Sequence, residues 1–254
     1  MVLLSGGASA LCEWPAAGVS EEALAQLHRD CVSSGESIET INTRRGQQSA
    51  LKAGGLAELL GASLIDVRVL VDVPSGDPSV VGSGPCASAS YRGSVRVIGA
   101  PSDLVELAAA QFDEVTTLPA RSWSLSDLTE RMRVHAAQGK GAWITAGEVQ
   151  VALPAEVLGR REGGRAQHLA LGVACLLHDQ GPWAVLAWAS DGCDGKGGGG
   201  ALITSEDSEK LVEAAAQGAL NTWNSGSYLA SIGCRLNSFA SETNLTDLYM
   251  VLRL

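Results

Sequence analysis

Short apolar runs alternate along the chain with longer amphipathic stretches. The apolar runs are rich in β-branched residues, and several are nearly continuous, as is typical of strands in sheets that are covered on both faces. They predict strands over residues 67–73, 94–99, 141–153, 183–190 and 247–254. A shorter apolar run over residues 2–4 precedes the first glycine-rich turn.

The amphipathic stretches between these runs predict helices. Ser20 is placed to cap a helix whose apolar positions recur every three to four residues. Ser124, with Asp127 three residues later, predicts the start of a second helix that continues to about residue 138. A third helix carries apolar residues at the i, i+4, i+7 and i+8 spacing from Leu169.

Strands and helices therefore alternate, which predicts an α/β fold with two lobes of mainly parallel sheet, flanking helices and an interdomain cleft. A polar helical segment followed by a new strand after Gly141 places the domain boundary near residue 140. The predicted domains are 1–140 and 141–254, and a chain of 254 residues is long enough to bury a sizeable core.

Composition and charge exclude several classes of function. The chain has 18 basic and 28 acidic residues and a net charge of −10, which disfavours general nucleic-acid binding because phosphate contact needs clustered cations. No window approaches the roughly 18 uninterrupted apolar residues of a membrane-spanning helix. The first residues lack both a basic and a long apolar segment, so we expect no signal peptide, a cytoplasmic location and no membrane partner.

Five glycine-rich or acidic segments follow apolar runs, where the ligands of open α/β sheets bind. In Ser5-Gly6-Gly7-Ala8-Ser9, the glycines would let backbone N–H groups approach an anion, although an ordinary tight turn explains them equally well. In another segment Asp72 ends a strand, where it is a candidate base or metal ligand or else a residue that caps the turn.

Cationic and acidic side chains mark the other three segments. Asn42-Thr43-Arg44-Arg45 with Lys52 offers donors for carboxylate or phosphate, or else forms a solvated helix face. Gly163-Gly164-Arg165 precedes a helix, as an anion clamp would. Ser190-Asp191-Gly192-Cys193-Asp194 is typical of a metal-organising or hydroxyl-binding loop, and also of a plain turn. The sequence has no phosphate-loop, nucleophile-elbow or zinc motif.

The motifs occur in an order that is specific to one family. They read SGGASAL, INTRRGQQSALKAGGLAE, VDVPSGDPSVVGSGP, VIGAPSDL, TAGEVQV, GGRAQHLALGVA, WASDGCDG and ETNLTDLYMVL. This series resembles the glycerate 2-kinase family of the MOFRL type, many of whose members are also labelled hydroxypyruvate reductase. The resemblance implies phosphorylation of D-glycerate at the 2-hydroxyl to 2-phosphoglycerate, with ATP and Mg²⁺ as cofactors. Such phosphoryl transfer relies on positioning, cations and a metal more than on covalent catalysis.

The resemblance also implies roles for individual residues. As catalytic residues it gives Asp72, as base or metal ligand, together with Arg165, as a charge clamp, and Asp191. As cofactor-binding residues it gives Ser5, Gly6, Gly7, Ser9, Lys52, Thr243 and Asn244. As substrate-binding residues it gives Asn42, Arg44, Glu148 and Gln167, and as metal ligands Asp72, Asp77 and Asp194.

The chain departs from the family pattern at several places. Family members usually begin well before the S-G-G-G-S turn and carry a lysine in that preceding region, so we expect a chain that is shortened at its N-terminus. The acid of the family's N-D-S-Y motif is replaced by Gly226, and Glu242 stands in the segment that matches T-G-P-T-G. The first change removes a negative charge. The second adds a negative charge where the glycines of the family motif would approach a ligand.

Two other interpretations remain open. A catalytically impaired remnant of the family would bind glycerate or nucleotide, or would need a separate N-terminal chain that complements it; a homo-oligomer is a further expected partner. A nicotinamide-dependent reductase is suggested by the older family label, but the sequence lacks G-x-G-x-x-G after a strand.

Overall fold

The computed structural model describes residues 1–34, 38–61, 64–88, 92–153 and 161–254. Contacts between Cα atoms divide the chain into two compact units, Met1–Ala100 and Pro101–Leu254. Each unit contains its own sheet, its own helices and its own buried apolar cluster. The two units are described separately below.

The first unit contains a parallel sheet in the order β1-β2-β3. Its strands are β1 (Val2–Leu4), β2 (Ile65–Leu70) and β3 (Gly93–Gly99). Alternate residues of β2 are buried, because one face of the strand packs on the core and the other is partly exposed. The helices are α1 (Ala8–Leu11), α2 (Glu21–Ser34), α3 (Ile38–Gln48) and α4 (Gly55–Leu60).

Local signals predict the start of α2 in this unit, and the structure differs from the sequence-based expectations at two places. Ser20 Oγ accepts the backbone N–H of Ala23 and so caps α2, as expected. The strand predicted over 67–73 is instead β2, which ends at Leu70. Residues 42–45 do not follow a strand but lie within α3, and the expectation of a solvated helix face is wrong for Arg45, which is buried.

The second unit is built on a mixed sheet in the order β4-β6-β10-β7-β8-β9, with β5 also paired to β6. Its strands are β4 (Val115–Thr117), β5 (Arg121–Ser124), β6 (Gly141–Gln150), β7 (Trp183–Ala189), β8 (Gly200–Thr204), β9 (Arg235–Leu236) and β10 (Asp247–Arg253). The α/β class with flanking helices is confirmed. The expectation of mainly parallel pairing holds for the first sheet but is wrong for the second, where only β4 and β5 run parallel to β6.

The cause of this difference is the position of the last strand. β10 lies between β6 and β7 and runs antiparallel to both, with Asp247 opposite Gly147 on one side and Ala189 on the other. A strand that is buried between two neighbours shows the same continuous apolar run whichever direction it takes. The sequence pattern therefore predicts the strand and not its direction.

Helices cover the mixed sheet. They are α5 (Pro101–Ala109), α6 (Leu125–Gln138), α7 (Arg165–Leu177), α8 (Glu213–Asn221) and α9 (Ser225–Ser231). Ser124 Oγ caps α6 by accepting the backbone N–H of Asp127, as predicted. Most residues of α7 are fully buried, so this helix is the centre of the core and its first turn is held firmly in place.

Candidate functional site

A cavity of about 260 Å³ opens at one end of the mixed sheet. Its walls come from the end of β6, the first turn of α7, the loop after β7 and the residues just before β10. The lining residues are Glu148, Val151, Arg161, Gly164, Arg165, Asp191, Cys193, Asp194, Gly195, Asn244, Thr246 and Asp247. Five of the residues predicted from the sequence are therefore brought together here: Glu148, Arg165, Asp191, Asp194 and Asn244.

Arg165 is the first residue of α7 and supplies a cation to the cavity. Its Nη1 lies 3.6 Å from Glu148 Oε2, and both side chains are more than a third exposed. Burial alone would lower the pKa of Arg165, but Glu148 and Asp247 raise it. A guanidinium that is permanently charged and only loosely paired suits the binding of a carboxylate or phosphate.

Asp194 lies in the loop after β7 and caps the N-terminus of α7. Its Oδ1 accepts the backbone N–H of Ala166 at 3.1 Å, and its Oδ2 accepts that of Gln167 at 2.7 Å. Burial raises the pKa of Asp194, although these two N–H groups act in the opposite direction. Gly164 allows this contact, because a Cβ there would lie 2.1 Å from Asp194 Oδ1. Asp194 thus satisfies helix N–H groups that would otherwise lack a partner.

Gln167 is fully buried and binds protein groups. Its Nε2 donates to the backbone carbonyl oxygens of Asp194, at 3.0 Å, and Gly197, at 3.1 Å. The side chain therefore ties α7 to the loop after β7, and it is not among the residues that line the cavity.

Asp191, Asn244 and Thr243 lie at or near the rim of the cavity. Asp191 is exposed, and its Oδ1 accepts the backbone N–H of Cys193 at 2.9 Å. Asn244 is also exposed and uses Oδ1 to accept the backbone N–H of Thr246 at 3.0 Å. Thr243 accepts a hydrogen bond from Ser241 Oγ through its carbonyl oxygen and does not line the cavity.

Sequence reasoning missed Asp247 and Tyr249 as site residues. Asp247 lines the cavity and is 9% exposed, and its Oδ2 accepts the Tyr249 hydroxyl at 2.9 Å. Burial raises the pKa of Asp247 to about 7, against the opposing effect of Arg165. The available signal was an acid at the first position of an apolar strand, next to the Thr243-Asn244 motif.

In the first unit, the glycine-rich turn and Asp72 are in direct contact. A Cβ on Gly6 would lie 1.4 Å from Asp72 Oδ2, so this position tolerates only glycine in the present arrangement. Ser9 stands at the other end of the turn, where its Oγ lies 2.8 Å from Ser83 Oγ. Asp72 therefore lies against the turn 5–9, and the nucleotide or metal site at this place stays a prediction.

Lys52 is 2% exposed and bonded to the C-terminal end of α1. Its Nζ donates to the carbonyl oxygens of Ser9, at 2.8 Å, and Cys12, at 3.4 Å, and lies 3.2 Å from Glu13 Oε2. Arg45 also donates to the Ser9 carbonyl and to Glu13. Burial lowers the pKa of Lys52, and Glu13 opposes this effect. Cations at this end of a helix stabilise its carbonyl groups.

The remaining predicted residues of the first unit have varied surroundings. Asn42 Oδ1 accepts the Ser83 hydroxyl at 3.3 Å, and Arg44 is half-buried on α3. Asp77 is exposed, and its Oδ1 accepts the backbone N–H of Ser79 at 2.8 Å. Within the described residues, no three His, Cys, Asp or Glu side chains are grouped so that they could hold a metal ion.

Two protein families match this chain. The domain of unknown function DUF4147 matches residues 1–104, and the MOFRL family matches residues 141–247. The chain therefore carries a DUF4147 domain followed by a MOFRL domain. The domain boundary at residue 140 stays a prediction, because the MOFRL match begins at 141 while the compact units divide after Ala100.

The similar curated proteins and a similar solved structure are named as a hydroxypyruvate reductase, a glycerate 2-kinase and a glycerate kinase. A putative hydroxypyruvate reductase of Agrobacterium vitis is 28% identical, and the match covers 76% of this chain and 63% of the relative. A glycerate 2-kinase of Sulfurisphaera tokodaii is 45% identical over 33% of this chain and 20% of its own length. The crystal structure of a glycerate kinase from Thermotoga maritima superposes with a TM-score of 0.81 at 25% identity, covering 99% of this chain and 72% of that one.

The chain spans about two thirds of the length of the two Agrobacterium vitis relatives, 63% and 69%. Among the described helices, none is both long and apolar enough to cross a membrane.

Proposed function

We propose that this protein is a glycerate 2-kinase of the MOFRL type, which transfers a phosphoryl group from ATP to the 2-hydroxyl of D-glycerate and gives 2-phosphoglycerate and ADP. The observation that supports it most directly is Arg165, a loosely paired guanidinium in a cavity that also contains acidic and amide groups. Relatives named glycerate 2-kinase support the same reaction class. A cytoplasmic location and a homo-oligomer remain predictions.

Arg165 has the chemistry that the reaction needs. Phosphoryl transfer builds negative charge on the transferred group, and a fixed cation stabilises that charge. Asp191 and Asn244 at the rim offer a carboxylate and an amide that can bind hydroxyl groups of a small polyol acid. We propose that Arg165 binds the anionic group of the ligand and that Asp191 and Asn244 bind its hydroxyl groups.

Asp72 is the carboxylate that we assign to Mg²⁺ or to the hydroxyl proton of the substrate. Mg²⁺ in such enzymes is commonly held by one or two carboxylates together with phosphate oxygens, so a preformed cluster of three ligands is not needed. Asp72 is only half-buried and adjoins the turn 5–9, whose backbone N–H groups suit a phosphate. Asp77 and Asp194 already accept backbone N–H groups, which leaves them less suited to this role.

The second candidate function is binding of glycerate or nucleotide without transfer, or activity only with a complementing N-terminal chain. The observation that favours it is the position of Lys52, whose ammonium group is buried against Glu13 and the end of α1. A lysine that binds nucleotide phosphates needs an ammonium group that can reach them, so the burial of Lys52 favours a chain that binds glycerate or needs another chain for transfer over one that binds nucleotide.

A coupled assay of ADP release separates these functions. Purified chain receives D-glycerate, ATP and Mg²⁺, and we expect turnover that falls about 100-fold or more in Arg165→Ala and in Asp72→Asn. Arg133→Ala is the matched control, because Arg133 is a partly exposed helix residue that pairs with Glu130 outside the cavity.

Other results would point elsewhere. No ADP release, together with saturable binding of glycerate or ATP in calorimetry, would favour the binding function. Oxidation of NADH with hydroxypyruvate would contradict both candidates and support a reductase.

A further inference from the structure

Two carboxylates act on Arg165 from very different surroundings. Glu148 follows Gly147 near the end of β6, is 42% exposed at its side chain and lies 3.6 Å from the guanidinium. Asp247 begins β10 opposite Gly147, is 9% exposed and lines the same cavity as Arg165, whose positive charge it stabilises. Glu148 is therefore a solvent-exposed partner of Arg165 at a long distance, whereas Asp247 is a buried one.

Asp247 is held in place by a chain of two hydrogen bonds. The Tyr249 hydroxyl donates to Asp247 Oδ2 at 2.9 Å and accepts the backbone N–H of Val149 at 3.2 Å. Tyr249 is fully buried, so its ring cannot change position without opening the core. These two hydrogen bonds connect the Asp247 carboxylate to the backbone of β6 at Val149, the residue that follows Glu148.

Keeping a carboxyl group at this position costs stability. Burial, with smaller contributions from the charges of Asp194 and Glu148, raises the pKa of Asp247 to about 7, while Arg165 and the Tyr249 hydroxyl oppose this rise. A buried acid of this kind is weak evidence for a stabilising role. Perturbed, buried groups in a cavity occur preferentially at functional sites.

We propose that Asp247, fixed by Tyr249, is a positioning residue that orients the Arg165 guanidinium toward the cavity, and that Glu148 is an exchangeable partner which the anionic group of the ligand displaces. The ligand group is a carboxylate or a phosphate, since both accept two parallel N–H donors from one guanidinium. Only the identity of this ligand rests on the proposed function.

The two carboxylates should then have opposite effects on anion binding. Coulomb repulsion alone predicts that removal of either carboxylate charge strengthens binding of an anion. Under our proposal Glu148→Gln strengthens binding, because a competitor is lost, whereas Asp247→Asn weakens it, because the guanidinium loses its fixed orientation. Tyr249→Phe removes only the hydroxyl that fixes Asp247 and should weaken binding in the same direction.

Calorimetric titrations at pH 8 test these signs. D-glycerate and inorganic phosphate are titrated separately into wild type, Glu148→Gln, Asp247→Asn and Tyr249→Phe, which distinguishes the carboxylate from the phosphate source. We expect about a tenfold loss of affinity in Asp247→Asn, a smaller loss in Tyr249→Phe and a gain in Glu148→Gln. Equal or tighter binding in both Asp247→Asn and Tyr249→Phe would overturn the proposal.

A second measurement needs no ligand and so separates this inference from the proposed function. The Nε–H resonance of Arg165 in NMR spectra, assigned by its loss in Arg165→Lys, reports how rigidly the guanidinium is held. Faster exchange of this proton with water in Asp247→Asn and Tyr249→Phe, but not in Glu148→Gln, would support the positioning role. An unchanged resonance in both would refute it, whether or not the wild type binds glycerate or phosphate.

Both variants are needed because one of them could fail to fold. Asp247→Asn keeps the shape of the side chain and Tyr249→Phe keeps the ring, so each removes one component of the pair. If either variant is unfolded in far-ultraviolet circular dichroism, the other one decides the outcome by the same two measurements.

Discussion

Asp194 Oδ2 accepts the backbone N–H of Gln167 at 2.7 Å, and Gln167 Nε2 donates in return to the Asp194 carbonyl oxygen at 3.0 Å. This reciprocal pair joins the loop after β7 to the first turn of α7. The loop carries Asp191, and the helix begins with Arg165, so the pair sets the positions of two cavity residues relative to each other. Gln167 therefore positions Arg165 and Asp191 without lining the cavity itself, whereas Asp194 also forms part of the cavity wall.

The first prediction concerns this pair. Asp194→Ala removes both acceptors and leaves two buried N–H groups of α7 unsatisfied, so we expect a loss of about 2 kcal/mol in the free energy of unfolding. Urea denaturation followed by circular dichroism measures the loss. Asp191→Ala is the control, because Asp191 is exposed in the same loop and should change stability by less than about 1 kcal/mol. Equal losses in the two variants would contradict the capping role.

The second prediction follows from the pKa of Asp247, which burial raises to about 7. An unfolded aspartate titrates near pH 3.9, so between these values the folded protein holds a proton that the unfolded chain has lost. The stability that this group contributes is complete below about pH 4 and is lost as the pH rises through 7. Asparagine has no such dependence. We therefore expect Asp247→Asn to gain roughly 2 kcal/mol on the wild type between pH 5 and pH 8.

Urea denaturation of both proteins at pH 5 and pH 8 checks this expectation. A difference between wild type and Asp247→Asn that does not change with pH would show that Asp247 has an ordinary pKa. A gain in stability at pH 8 combined with weaker anion binding would indicate that the residue is kept for the site and not for the fold.

Local features of this fold follow from the sequence, and long-range ones do not. The predicted strands 94–99 and 183–190 agree within one residue with β3 and β7, because alternation and apolar runs are properties of neighbouring residues. The order and direction of β10 between β6 and β7 depend on pairing across about 100 residues of chain, which no local pattern encodes.

The same distinction explains what could be predicted of the site. Arg165 is recognisable because two glycines precede it at the start of a helix, which is a local signal. Asp247 stands in an apolar strand, and its meaning depends on the Tyr249 hydroxyl and on a cation from α7. Lys52 looks like an available cation in the sequence, and only the packing of α1 shows that it is buried beside Glu13.

The third prediction concerns that buried lysine. Lys52→Met leaves the Ser9 and Cys12 carbonyl oxygens with one donor fewer and removes a cation from Glu13, so we expect a loss of about 3 kcal/mol in stability. Urea denaturation measures it. Lys140→Met, at an exposed position, is the control and should change little.

A double-mutant cycle with Glu13→Gln tests the pairing itself. The two changes should be strongly non-additive, because the carboxylate and the ammonium group compensate each other's burial. Additive losses would show that the ion pair does not account for the position of Lys52.

The fourth prediction explains the residue that replaces the family's acid. A Cβ on Gly226 would lie 2.6 Å from both the N and the Cα atom of Gly163, which are backbone atoms that cannot turn aside. Gly226→Ala should therefore cost about 2 kcal/mol, and Gly226→Asp, which restores the family residue, at least as much. Gly218→Ala is the matched control, since a Cβ there meets nothing within 4 Å and alanine favours the helix by about 1 kcal/mol. Urea denaturation should thus show changes of opposite sign at two glycines of neighbouring helices. A Gly226→Asp variant as stable as the wild type would mean that the segment around Gly163 can move away, and that the acid could be restored without disturbing the first turn of α7.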